Sequence, residues 1–183
     1  MDLTDISKDL VQGENMGGIA MKVYFGLYAD VLAWPTKPVN ALTLEALGKL
    51  TGNISMKTGK RLFEMYVTDD SSEFKIEPVG ELDGKSYIMH LTVFNPGLKA
   101  KLLGFMNAVK NENLVFIVPD NNNQMFLMGD ALRAATYAGA PDGAGTGKET
   151  ASRRGISMEF VFKTNNVYEY TGTIPLTIAV PLS

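Results

Sequence analysis

The chain alternates short apolar runs with turn-forming residues, and this pattern limits the folds that it can adopt. In residues 73–79, EFKIEPV, Phe74 and Ile76 alternate with charged side chains, as in a strand with one buried and one solvated face. An Asp-Gly turn signal and a second apolar run at 85–94 follow, so this region predicts a β-hairpin. Because Pro78 has no backbone donor, the first strand is predicted to lie at a sheet edge or to end there.

Similar short runs recur along most of the chain. They are separated by Gly, Pro, Asn or Asp, and together they predict about eight or nine strands. The other runs lie at 19–34, 53–58, 61–68, 114–118, 124–128, 155–163 and 167–180. Strands this short and this frequent are typical of an antiparallel β-sandwich or barrel.

One segment has a helical period instead. Its apolar residues are spaced by four, three and four positions, which predicts a helix over about 96–110 with Asn95 as its N-cap. The stripe consists of Leu98, Leu102, Phe105 and Val109. A shorter helical turn, capped by Thr43, is predicted within 43–50. The expected fold is therefore mostly β, an antiparallel β-sandwich or barrel with one flanking α-helix.

The length of 183 residues is that of one ordinary domain. Residues 1–18 are polar and contain three glycines, so we expect a flexible N-terminal arm. Residues 19–183 are expected to form a single β-sandwich or barrel domain. Within it, the glycine- and alanine-rich stretch around 138–147 predicts a mobile loop over 140–153.

Few residues in the chain could carry catalysis. It has no cysteine and one histidine, which excludes disulfides, thiolate metal sites and multi-histidine centres. The Gly147-Lys148 pair fails the phosphate-loop pattern, because Asp142 and Glu149 stand where Gly and Ser or Thr are required. His90 has no carboxylate or serine near it in sequence and is interpreted as a half-buried structural histidine. We therefore expect no enzyme activity, no cofactor and no metal, with a glycosidase-like carboxylate pair as the weaker alternative.

Charge is distributed unevenly along the chain, whose net charge is −3. Residues 64–83 hold seven acids and a single lysine, Lys75. This stretch is either a solvated hairpin edge that resists aggregation or a surface that repels a polyanion. Two adjacent arginines follow the glycine-rich loop and form either a solvated junction or a salt bridge to the acidic stretch of another subunit. The candidate assembly residues are Asp69, Asp70, Glu73, Glu77, Arg153 and Arg154.

The order of these segments resembles that of tailed-phage tail tube (major tail) proteins, in the form found in Bacteroidetes phages and prophages. The resemblance covers about residues 19–176 and depends on element order and a few phrases. These are VGELDGKS, the strand–helix–hairpin unit that includes KAKLLGFMNAVKN and LVFIVPDNNNQMFLMGD, and YTGTIP. None of these phrases is a catalytic motif.

The resemblance implies a virion structural protein made in the host cytoplasm and located in the phage tail. Members of that family form rings, usually hexamers, that stack into a hollow tube through which DNA passes without specific binding. The implied partners are further copies of the chain and other tail proteins, with no membrane. Two alternatives stay open: another virion role, such as head decoration or tail completion, and a monomeric β-sandwich that binds a sugar or a peptide.

Overall fold

A computed structural model describes residues 16–139, 143–146 and 154–180, and in this part of the chain strands predominate. It contains thirteen strands, two α-helices and one short 3₁₀ helix at Tyr28–Asp30. The strands are β1 (Lys22–Leu27), β2 (Val31–Ala33), β3 (Lys49–Leu50), β4 (Ser55–Met56), β5 (Phe63–Tyr66), β6 (Glu73–Val79), β7 (Ser86–Pro96), β8 (Asn113–Pro119), β9 (Met125–Met128), β10 (Ala135–Gly139), β11 (Ala144–Gly145), β12 (Gly155–Thr164) and β13 (Glu169–Tyr170). The helices are α1 (Leu44–Leu47) and α2 (Ala100–Val109).

Eleven of the strands belong to one continuous sheet that folds on itself like a sandwich. The main path runs β3-β13-β9-β8-β10-β12-β7-β6, while β1 pairs with β8 and β5, and β11 pairs with β12. All pairs are antiparallel except β3 with β13. The remaining strands, β2 and β4, pair with each other. The expected mostly β, sandwich-like fold with a flanking helix is confirmed, and the sheet does not close into a barrel.

Strand β8 lies between two apolar clusters, which explains its unbroken apolar sequence. Leu114, Phe116 and Val118 face the larger cluster, together with the inner residues of β7 and β12. Val115 and Ile117 face the second cluster, which includes Tyr170. In a strand that is buried on both faces, apolar and polar side chains do not alternate, so the run LVFIV contains no polar residue.

Helix α2 packs on the larger cluster through its predicted stripe. Leu98, Leu102 and Phe105 are partly buried against it, and Val109 is buried. The Phe105 ring meets the Phe25 ring edge-on, with centroids 5.1 Å apart. The helix begins at Ala100, four residues later than predicted, and Asn95 is not its cap.

This late start has a local cause. Asn95 and Pro96 remain in β7, where they pair with Ile156 and Gly155. The residue that precedes the helix is Lys99, whose side chain makes no capping bond. The shorter helix is as predicted, because the Thr43 side chain accepts a hydrogen bond from the Ala46 N–H at 3.2 Å.

The segment that enters β1 is bonded to the β8–β9 turn. The Asn121 side chain donates to the Gly17 carbonyl at 2.7 Å, and the Met16 N–H donates to the Asn122 side chain at 3.0 Å. The rest of the predicted arm, residues 1–15, and most of the predicted loop, at 140–142 and 147–153, lie outside the described residues. Within the described ranges no helix is long and apolar enough to span a membrane.

Candidate assembly surface

Three adjacent strands present a polar face whose residues are aligned by strand register. Glu73 of β6 and Glu159 of β12 both lie opposite Thr92 of β7, and Lys75 lies opposite His90. Because side chains alternate along a strand, the neighbouring residues of β7 point inward to the core. We call this surface the polar face; it surrounds a shallow depression of about 270 Å³ and comprises Glu73, Lys75, Glu77, His90, Thr92 and Glu159.

His90 is held between two carboxylates on this face. Its Nδ1 lies 2.7 Å from Glu159 Oε1, and its Nε2 lies 3.9 Å from Glu77 Oε2. The Lys75 ammonium donates to the same Glu77 carboxylate at 3.3 Å. The histidine side chain is 27% exposed, so its predicted half-buried position is confirmed.

This arrangement differs from a catalytic triad in what the second ring nitrogen meets. A carboxylate on Nδ1 orients an imidazole, but a triad also needs a nucleophilic hydroxyl bonded to Nε2. Here Nε2 faces the Glu77 carboxylate, and among the described residues no hydroxyl is hydrogen-bonded to it. In the same residues no group of three or more His, Asp or Glu side chains is placed to hold a metal ion. On the polar face, both ring nitrogens of His90 therefore lie near carboxylates.

The structure brings some of the predicted assembly residues together and separates others. Glu73 and Glu77 share the polar face. Asp69 and Asp70 lie in the preceding turn, where Asp70 has φ 53° and its N–H donates to Asp69 Oδ1 at 3.1 Å. Arg154 is exposed next to β12, its carbonyl accepts the Gly97 N–H at 2.8 Å, and it forms no ion pair within the described residues. Arg153 lies outside those residues.

Among the strands of four or more residues in the described part of the chain, β5 and β6 pair on one side only, as do the shorter strands β2, β3, β4 and β11. Strand β6 bonds only to β7, so it lies at an edge, which is one of the two positions predicted from Pro78. Its Phe74 ring stacks on the Phe126 ring of β9 with centroids 4.9 Å apart, without backbone pairing between the two strands.

Strand β5 pairs only with β1. Just beyond its two ends, the N–H groups of Leu62 and Thr68 donate to the Pro175 and Phe94 carbonyls at 2.9 and 3.0 Å, so the unpaired part of this edge is short. On β5, Phe63 is 45% exposed and Tyr66 is 52% exposed. Open edges of this kind are templates for pairing with another chain.

Two features of the surface escaped the sequence analysis. The partner of His90, Glu159, is 69 positions away, and only the β7–β12 register brings the two together. The sequence does show Glu159 as a charged residue within the apolar run GISMEFVFK. It does not show which strand pairs with this run, so the contact with His90 could not be predicted. The second feature is an apolar cavity beside Trp34, whose walls come from five separate stretches of the chain.

Comparisons of the chain with known protein families, with curated proteins and with solved structures find no match.

Proposed function

We propose that this protein is a structural subunit that self-associates into rings, stacked into a hollow tube of the phage-tail type that conducts DNA. The observation that carries the proposal is that the two longest strands with one-sided pairing, β5 and β6, lie at two different places in one sheet system. An edge that pairs with a different edge of the next copy makes a heterologous contact. Contacts of that type close into rings when the rotation permits it.

The side chains beside the two edges support such a contact. Strand β6 has Glu73, Lys75 and Glu77 on its solvated face. Strand β5 exposes two aromatic rings and a single carboxylate, Glu64, which pairs with Lys22 at 3.5 Å. Charges on an edge strand discourage it from pairing with a second copy of itself. The difference between the edges thus favours pairing of unlike edges over pairing of like ones.

Two positions in a tube are compatible with the charge of the polar face: the lining of the channel, and the contact with a neighbouring copy. Its three carboxylates outnumber its single lysine, so a face of this kind lining a channel would not retain a phosphate backbone. Alternatively, its carboxylates meet Arg154 of a neighbouring copy, whose guanidinium has no ionic partner within its own described residues. Both positions require that copies of the chain associate, and neither requires catalysis. We therefore propose a role without enzyme activity, cofactor or metal.

Charge reversal on the polar face tests this proposal. We expect the Glu73→Lys/Glu77→Lys variant to assemble more slowly or incompletely while its thermal melt stays close to that of the wild type. Light scattering and sedimentation velocity measure the assembly. The matched control is Glu45→Lys/Glu112→Lys, which changes the net charge equally at two acidic positions away from this face.

The results of this experiment distinguish a specific role of the polar face from a general effect of charge. A defect confined to the Glu73/Glu77 variant supports the polar face as an assembly surface. Equal defects in both variants would indicate a general effect of charge and count against the assignment. A wild-type chain that remains monomeric at every concentration would overturn the proposed function itself.

A further inference from the structure

The polar face continues into a second depression on the same side of the sheet. Thr136 of β10 lies opposite Val161 of β12, and Val161 lies opposite His90 of β7. Because residues that pair directly in antiparallel strands point to the same side of a sheet, these three side chains share one surface. We call the second depression the basic patch; it has a volume of about 500 Å³ and is lined by Asn113, Arg133, Ala134, Thr136, Val161 and Lys163.

The basic patch contains two cations and no acid. Arg133 and Lys163 are exposed, and neither forms an ion pair with a residue that the structure describes. The Asp130 carboxylate accepts the backbone N–H of Arg133 at 2.9 Å, but its ionic partner is Lys37, at 2.7 Å. Glu112 does not line the depression. The two cations give the basic patch a formal charge of +2.

The polar face has the opposite charge. Its three carboxylates and single lysine leave a formal charge of −2 when His90 is neutral. Of these carboxylates, Glu73 is exposed and forms no ion pair within the described ranges. One side of one sheet thus has an acidic half and a basic half of equal and opposite charge.

Two half-buried aliphatic side chains lie between the halves. Ile88 pairs with Glu77 on one side and with Lys163 on the other, and Val161 lies between His90 and the basic patch. A surface with this arrangement is complementary to a second copy of itself. When two copies face each other about a two-fold axis in the plane between them, each acidic half lies over the partner's basic half.

The size of the surface favours one neighbour over two. Four strands about 4.8 Å apart and three rows of side chains about 6.8 Å apart span roughly 20 by 20 Å, or about 400 Å² per copy. A folded domain is about 30 Å across, so a copy that contacts one half also covers the other. A contact of roughly 800 Å² in total is at the low end for specific interfaces, and we expect it to be weak and sensitive to salt.

We propose that two copies of the chain meet through this side of the sheet about a two-fold axis, with the polar face of each copy on the basic patch of the other. The inference goes beyond the proposed function. Pairing of unlike strand edges is a heterologous contact, whereas this contact is isologous and leaves those edges free. It also places the polar face in a contact between copies rather than in the lining of a channel.

Cysteine cross-linking at the centre of the surface tests the contact, since the chain contains no native cysteine. In an isologous contact, a residue near the two-fold axis lies close to its own counterpart. A short bifunctional maleimide should therefore link two copies of a Val161→Cys variant, and mixing isotopically light and heavy protein shows by mass spectrometry that the link joins two molecules. The control is Lys99→Cys beside α2, which packs on the apolar cluster at the other side of the sheet, and it should give several-fold less product.

Charge reversal in the Val161→Cys background tests the complementarity. Glu73→Lys/Glu77→Lys makes the surface predominantly basic, and Arg133→Glu/Lys163→Glu makes it predominantly acidic. Each variant alone should give several-fold less link than the parent. An equimolar mixture of the two should restore the link, and nearly all of it should join one variant to the other.

The matched control for charge is Lys99→Glu/Lys101→Glu in the same background. It changes the net charge as much as Arg133→Glu/Lys163→Glu does, at two exposed positions of the α2 region, and should link like the parent. If position 161 does not link above the Lys99→Cys control, or if the mixture gives no more link than either variant alone, this inference is wrong while the proposed function stands. If the link is restored in the mixture but electron microscopy of the wild type shows neither rings nor tubes, the two-fold contact is real and the tube proposal fails.

Discussion

Truncation of Phe105 measures how much helix α2 contributes to the fold. Phe105 is partly buried on the larger apolar cluster and meets the Phe25 ring edge-on at 5.1 Å. A fully buried Phe→Ala change costs about 3 to 5 kcal/mol, and an aromatic pair adds about 0.5 to 1.5 kcal/mol beyond burial. Because some of the ring is exposed, we expect Phe105→Ala to lower the free energy of unfolding by about 2 to 4 kcal/mol.

Urea denaturation followed by circular dichroism and by Trp34 fluorescence provides the measurement. The matched control is Leu103→Ala on the same helix, where the side chain is 41% exposed and the expected loss is about 1 kcal/mol or less. A Phe25→Ala/Phe105→Ala double variant should show a coupling of about 0.5 to 1.5 kcal/mol. Equal losses for Phe105→Ala and Leu103→Ala would refute the packing of this helix as described.

Two further changes test particular bonds. Tyr170→Phe should cost about 1 to 3 kcal/mol in urea unfolding, because the buried Ile54 N–H loses its acceptor, and an unchanged midpoint would contradict this. The pKa of Asp130 lies below its ordinary 3.8, since Lys37 and two backbone donors together outweigh the burial that raises it. The contribution of this carboxylate to the free energy of unfolding is therefore present above about pH 4 and is lost as pH falls through the lowered pKa. We expect the melting temperature of Asp130→Asn to fall less steeply than that of the wild type between pH 7 and pH 2. Melting temperatures that fall in parallel for the two proteins would count against this role.

The elements with a strong local period could be predicted from the sequence. Strand β6 has the predicted bounds, 73–79, and it lies at a sheet edge, one of the two positions predicted from Pro78. The apolar stripe of α2 faces the core as its spacing predicts. In both cases the residues that determine the element are neighbours in the chain, so a short window contains the whole signal.

The short strands and the surface features could not be predicted in this way. Strands β3, β4, β11 and β13 have two residues each, which is too few for any period, and so thirteen strands occur where about eight or nine were expected. The pairing of His90 with Glu159 depends on strand register, which is determined by packing across the sheet. The Trp34 cavity likewise depends on contacts among distant segments.

Electron microscopy of the purified full-length chain tests the central claim most directly. The proposal predicts rings or hollow tubes of uniform diameter in negative stain, with sedimentation velocity showing large species whose fraction grows with concentration. A single monomeric boundary across the whole concentration range, with no rings or tubes in the micrographs, would contradict it.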